Sequence, residues 1–213
     1  MRRPRVLLGD DHQILLQGLR ELLAPEFEVV GTATDGRALL VSAERLRPDV
    51  IVFDISMPVL NGIEAARRLK ETNPEAKLVC LTMHSDASLL NAALEAGVSA
   101  YVLKAAAASE LTAAIGRALK GRSYVSRGLA GITERHPGRL PAASATVPLE
   151  LTPRQREVLQ LVAEGRTLKE IATLLGLSVK TVEFHKCRIM DRLGVRTAAE
   201  LTQYAVRHRI VSV

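Results

Sequence analysis

Residues 49–54 read DVIVFD and residues 5–11 read RVLLGDD, two short apolar, β-branched runs that each close on carboxylates. Two later runs close on different chemistry: KLVCL precedes Thr82 and SAYVL precedes Lys104. Working outward, the chain from Arg5 to about Gly121 alternates such runs with helical patterns. Val6–Leu8, Val29–Val30 with Phe27, Val50–Phe53, Leu78–Leu81 and Tyr101–Leu103 are each followed by apolar residues spaced three and four apart. That is a (βα)5 rhythm. Right-handed crossovers turn it into a doubly wound α/β domain with a five-stranded parallel sheet and helices on both faces. Helix starts are marked by Asp35, by Asn61-Gly62 before IEAARRL, by Ser85-Asp86 before ASLLNAALEAG and by Ser109 before ELTAAIGRALK.

In an open parallel sheet the carboxyl ends of the strands line one crevice, so Asp10, Asp11, Asp54, Thr82 and Lys104 are expected to converge although the sequence scatters them. A hard cation takes carboxylate and carbonyl oxygens, while a hydroxyl and an ammonium bind phosphoryl oxygens. The expected occupants are therefore a divalent cation and a phosphoryl group. Taken singly, each residue has a plainer explanation. An aspartate after a strand is more often a cap or turn former, Thr82 alone is a loop hydroxyl, and Lys104 alone is a surface lysine. Together they outweigh those explanations, because adjacent acids repel one another without a cation or a lysine.

The 213 residues are 47% hydrophobic and 24% charged, ordinary globular material for one large or two small domains. No apolar run is long enough to span a bilayer, and the start MRRPRVLLGDDH meets two aspartates before a signal-peptide core forms, so a cytoplasmic protein is expected. Cys80 lies mid-strand and Cys187 in a distant helical pattern, giving neither metal spacing nor a disulfide framework. The net charge of +6 is uneven: −1 over residues 1–120, +2 over 121–150 and +5 over 151–213. A basic C-terminal domain is the electrostatic footprint of nucleic acid binding, a property that a membrane surface or an acidic protein would also exploit.

The stretch GLAGITERHPGRLPAASATVP, residues 128–148, has prolines, glycines and no sustained period, and it reads as linker. The expected division is a first domain at 1–121, a linker at 122–148 and a second domain at 149–213. Thr152-Pro153 caps the first of four helices, at about 153–164, 168–175, 179–193 and 197–208, with Glu157 near the capping-box position. In KEIATLLGLSVKTVEFH, Gly176 allows a tight turn and Ser178 caps the next helix, a helix-turn-helix arrangement.

With GDDH at 9–12, FDISMP at 53–58, LT at 81–82 and YVLK at 101–104, residues 5–120 resemble the receiver domain of bacterial two-component response regulators. Residues 151–210 resemble the LuxR-type domain of the NarL/FixJ family, on the pattern LTPRQREVL, EG, KEIA, LS, KTV, H, I and LG. The resemblance implies that Asp54 accepts a phosphoryl group from a sensor histidine kinase. It further implies that Asp11, Asp54 and the carbonyl of Ser56 ligate Mg²⁺ with Asp10 helping through water, that Thr82 and Lys104 bind the phosphoryl oxygens, and that Tyr101 changes rotamer with Thr82. Ala105 departs from the pattern, since many receivers have proline after the lysine. His12 is expected to begin the first helix and His84 to be a loop residue.

On the 179–193 helix, Val179, Val182, Ile189 and Leu193 share one face and are expected in the core. Lys180, Phe184, Cys187, Arg188 and Asp191 point the other way, toward base edges if the helix lies in a major groove, while Thr181, His185, Lys186 and Arg192 flank and contact phosphates. A solvated face is the usual fate of such charges on a lone helix; the turn motif and the basic balance reverse that. Glu183 either accepts from cytosine N4 or neutralises Lys180 or Lys186. Phe184 either touches a thymine methyl or packs on a neighbouring helix. The last helix presents Ala198, Leu201, Ala205 and Ile210 with Tyr204 and Val206, of which a strip resembles the family's dimerisation surface.

The reading is a phosphorylation-controlled transcriptional regulator rather than an enzyme, binding double-stranded DNA as a homodimer once phosphorylated, with RNA polymerase as a candidate further partner. A Mg²⁺-dependent phosphohydrolase of the haloacid-dehalogenase type is the rival. It would need a second acid two residues beyond the nucleophile, where this chain has Ser56. A regulator that works without phosphorylation is the third reading.

Overall fold

The five apolar runs form β1 (Arg5–Gly9), β2 (Glu28–Ala33), β3 (Val50–Phe53), β4 (Lys77–Thr82) and β5 (Ala100–Leu103). All pair in parallel. The computed structural model describes residues 2–129 and 151–211, which fall into two units. In the first, α1 (Gln13–Leu23), α2 (Gly36–Leu46), α3 (Gly62–Thr72), α4 (Ala87–Glu95) and α5 (Ala107–Leu119) follow the strands in turn. Val6, Leu8, Val50, Val52, Val79, Leu81 and Val102 pack on one side against Leu16 and Leu19 of α1 and Leu111 and Ile115 of α5. The intervening Leu7, Ile51, Phe53, Leu78 and Cys80 are equally buried and face the other way. Burial on both sides explains why these strands are apolar at consecutive positions.

The sheet has six strands, not five, in the order β2-β1-β3-β4-β5-β6. The sixth, β6 (Tyr124–Val125), pairs in parallel with β5 and leads into a 3-10 turn at Arg127–Leu129. Two residues are too short to show a period, which is why this segment reads as linker. The buried Glu110 of α5 holds it, accepting from the Ser126 hydroxyl and from the Arg127 amide at 3.4 Å. Residues 122–129 therefore belong to the first unit. The rest of the expected linker, and its junction at 149, lie outside the described residues.

Asp35 and Asn61 cap their helices as expected, accepting from the amides of Ala38 and Glu64. Ser109 does not: the chain turns at once into a 3-10 turn at Lys104–Ala106, α5 starts at Ala107, and the Ser109 hydroxyl donates back to the Ala106 carbonyl at 3.1 Å. All peptide bonds among the described residues are trans.

The second unit has α6 (Pro153–Ala163), α7 (Leu168–Leu175), α8 (Val179–Leu193) and α9 (Ala198–Arg207). Val158, Leu161, Ile171, Leu175, Val182, Ile189, Leu201 and Ala205 form its core. Reciprocal capping boxes start α6 at Thr152 with Gln155, α7 at Thr167 with Glu170 and α9 at Thr197 with Glu200, each cap being worth about 1 kcal/mol. Gln155 thus takes the role expected of Glu157. Glu157 is buried instead and pairs at 3.0 Å with Arg154, which also donates to the Leu175 carbonyl and so ties α6 to the end of α7. Gly176 leaves α7 at φ +63, a left-handed conformation that glycine adopts without steric cost, and Ser178 caps α8 by accepting from the Thr181 amide.

Candidate functional site

β1 and β3 are neighbours, so Asp10 and Asp54 leave the sheet side by side. The Asp54 amide donates to the Gly9 carbonyl at 2.9 Å, which fixes the two strand ends relative to one another. Lys104 comes from beyond β5, and its ammonium lies 2.7 Å from Asp10 Oδ2 and 2.7 Å from Asp54 Oδ2. Thr82, at the end of the intervening β4, is fully buried. Burial alone would lower the Lys104 pKa, but hydrogen bonds and charges from Asp10 and Asp54 outweigh it and hold the ammonium above the usual lysine value.

Asp11 is partly exposed at the rim, where His12 Nδ1 lies 2.8 Å from Asp11 Oδ1 and 3.0 Å from Asp10 Oδ1. The hydrogen bond to Asp10, followed by the charges of Asp11 and Asp10, raises the His12 pKa. His12 does precede α1, yet its ring belongs to the acidic cluster, a placement its sequence position did not announce.

Three carboxylates against one ammonium leave a negative excess, and Asp54 Oδ1 is buried with no hydrogen-bond partner. An all-oxygen donor set with one orphaned carboxylate oxygen fits a hard cation such as Mg²⁺. Gly62, the first residue of α3, keeps this corner tight. Its amide donates to the Ile55 carbonyl at 2.8 Å, and a Cβ there would come within 2.2 Å of the Asp54 carbonyl oxygen. Only glycine lets α3 approach the backbone of Asp54 so closely.

Tyr101 is fully buried, and its hydroxyl donates to the His84 carbonyl at 3.0 Å. Burial is the first cause of its raised pKa, so the phenol is neutral and available as a donor. The His84 amide donates to Thr82 Oγ1 at 3.2 Å, and the His84 ring meets the Ser56 hydroxyl at 3.0 Å. His84 is therefore a junction joining Ser56, Thr82 and Tyr101. In the sequence neither its spacing nor its neighbours distinguish it from an ordinary loop residue.

On α8, Val182 and Ile189 are fully buried and Leu193 is half-buried against the core, but Val179 is 41% exposed because the first turn overhangs the core rather than packing on it. Lys180, Glu183, Phe184, Cys187, Arg188, Asp191 and Arg192 are exposed, while Thr181, His185 and Lys186 are half-buried. Phe184 does not bury against a neighbouring helix. On α9, Leu201 and Ala205 enter the core, whereas Ala198 is exposed and Tyr204 and Val206 are half-buried, with the Tyr204 ring 4.1 Å from that of His208. Among the described residues no helix is long and apolar enough to cross a membrane.

Residues 6–116 match the response regulator receiver domain, and residues 149–205 match the bacterial regulatory proteins of the luxR family. The transcriptional regulatory protein MctR of Rhizobium johnstonii is 36% identical over 98% of this chain and 95% of its own length. The transcriptional regulatory protein LiaR of Bacillus subtilis is 37% identical over 98% and 99%. Among solved structures, RcsB from Salmonella enterica serovar Typhimurium, bound to promoter rprA in the presence of the phosphomimetic BeF3−, is 31% identical, with a TM-score of 0.56 over 95% of this chain and 98% of that one. A converging acid, hydroxyl and lysine set on one unit and a capped helix-turn-helix on the other agree with these matches: the chain belongs to the NarL/FixJ family of two-component response regulators, with a DNA-binding domain of the LuxR type.

Proposed function

We propose that Asp54 is the phosphoryl acceptor of a phosphorylation-controlled transcriptional regulator. The observation that carries this reading is the buried Oδ1 of Asp54, which has no hydrogen-bond partner while the Oδ2 of the same carboxylate is held by Lys104. Asp54 Oδ1 attacks phosphorus as the bond to the donor histidine nitrogen of a sensor kinase breaks, and the departing imidazole takes up a proton. Lys104 and Thr82 then hold the phosphoryl oxygens. Asp11, Asp54 and the Ser56 carbonyl would hold Mg²⁺, with Asp10 acting through water. When bound, the ion neutralises charge on the phosphoryl oxygens. Ser56 spends its hydroxyl on His84 and supplies no second acid, which disfavours turnover of external phosphate esters.

Drawing Lys104 and Thr82 onto a phosphoryl group disturbs two contacts seen here, Lys104 with Asp10 and Thr82 with the His84 amide. Tyr101 starts from a buried position, so its response runs through the His84 carbonyl rather than through an inward swing. The shifted state favours a homodimer that sets two α8 helices roughly 34 Å apart on successive major grooves of a pseudo-palindrome. The basic residues Lys186 and Arg192 contact phosphates, and RNA polymerase is met from the bound site. The RcsB structure is of the protein bound to a promoter, which supports double-stranded DNA as the ligand.

The test is duplex affinity and sedimentation mass of the full chain with and without acetyl phosphate and Mg²⁺. Affinity is expected to rise at least about fivefold, in the usual range of allosteric coupling, together with a doubling of mass. Equal affinity and an unchanged monomer in both states would remove the switch and leave DNA binding standing.

A further inference from the structure

Phe184 is 56% exposed in the middle of α8, an unusual place for a large apolar ring in water. One helical turn on, the guanidinium carbon of Arg188 sits 5.3 Å from the centre of that ring, and the edge of His185 faces it with centroids 6.0 Å apart. Arg188 pairs with no carboxylate and gives no hydrogen bond among the described residues, although Asp191 lies three residues further along the same helix. Other arginines here are committed: Arg154 to Glu157 and Leu175, Arg67 to Glu64, and Arg156 to the Leu151 carbonyl. Arg188 is thus held by its face while its donors stay free.

We propose that Phe184 and Arg188 act as one reading unit, with Arg188 donating two hydrogen bonds to guanine O6 and N7 and Phe184 serving as its positioning residue. This rests on the DNA-binding reading of α8. A free arginine side chain loses most of its rotamer freedom when a base fixes it. Stacking on an aromatic face removes part of that freedom beforehand and orients the planar fork. The remaining ring surface then meets the neighbouring base pair, where the apolar group available in the major groove is the thymine methyl. The ligand assigned is duplex DNA carrying a guanine beside a thymine.

Leucine at 184 retains apolar contact with a thymine methyl but has no π face for the guanidinium; tryptophan retains both. The full chain, treated with beryllofluoride, is used to select duplexes from a randomised library, and affinities are then measured for the selected site and for the same site with the guanine replaced. Wild type should prefer the guanine, and Arg188→Ala should abolish that preference. Phe184→Leu should reduce it by roughly two- to thirtyfold, the range spanned by exposed and desolvated cation–π contacts. Phe184→Trp should keep it. Retention of the full guanine preference in Phe184→Leu, or a wild-type site with no guanine that depends on Arg188, overturns the pairing while leaving DNA binding intact. Failure of the wild type to bind any duplex overturns both. Because Phe184 is exposed, these variants should unfold at the wild-type denaturant midpoint; a lower midpoint for Phe184→Leu would mean the ring serves stability and overturns the positioning role.

Discussion

Asp54→Asn is expected to leave no phosphate on the protein after incubation with a small phosphodonor and Mg²⁺, whereas Asp10→Asn and Asp11→Asn should slow labelling without moving it. An amide oxygen is too poor a nucleophile to attack phosphorus, and no neighbouring acid occupies the same place. Asp10 is turned onto Lys104 and His12, and Asp11 sits at the rim with His12. The fold should survive, because Lys104 keeps Asp10 as partner; a loss of about 1–3 kcal/mol covers one buried charged hydrogen bond. Mass spectrometry of the intact and digested protein reads the result. Phosphate retained in Asp54→Asn, or a modification stable to hydroxylamine, would exclude Asp54 as an acyl-phosphate acceptor.

The second large effect is expected from Lys104→Met. Its side chain is 9% exposed, and those of Asp10 and Asp54 are 2% and 4% exposed, so methionine leaves two buried carboxylates facing each other with only His12, at Asp10, to offset them. Breaking a buried pair by deleting one partner costs about 3–5 kcal/mol; the lower end applies here because Asp11 and His12 at the rim are exposed. If Mg²⁺ is held as proposed, it should restore part of the loss, because the carboxylates converge only in the folded state. The folded pKa of Lys104 lies above its ordinary 10.5, so its contribution is fully present below that value and is lost as pH rises through the folded pKa. The stability gap between wild type and Lys104→Met should therefore be level near neutrality and close only in strongly alkaline solution. Urea unfolding across that range measures it. A gap under about 1 kcal/mol at neutral pH would mean that the ion pairs add little.

Strand ends and helix caps were legible because each depends on a few adjacent residues: DVIVFD and RVLLGDD announce buried parallel strands, and Asp35, Asn61, Thr152 and Ser178 cap where they stand. The convergence of Asp10, Asp54 and Lys104 followed from topology, since parallel order brings strand ends together whatever their separation in sequence. What escaped depends on contacts between distant segments. His84 reaches Ser56 across 28 positions, and Tyr124–Val125 finds the side of β5 only because Glu110 waits in α5 for Ser126. The close approach of Gly62 to Asp54 was likewise hidden, because glycine after asparagine already has a sufficient explanation as a helix start. Gln155 stands three residues after Thr152, where a capping box closes, whereas Glu157 lies five residues on and is buried beside Arg154.

The short β6 has a bearing on how the first unit behaves when separated from the second. A fragment cut at Gly121, where the sequence rhythm ends, would strip the outer side of β5, freeing the Ser99 and Tyr101 carbonyls that now accept from Tyr124 and Ser126. It would also leave Glu110 without its hydroxyl partner. The apolar run AYVL would then be a bare sheet edge, a template on which a second fragment can add its own strand. Such a fragment would self-associate for reasons unrelated to phosphorylation, and its dimers would imitate the activated state proposed above. Carrying the chain on to Leu129 keeps that edge covered.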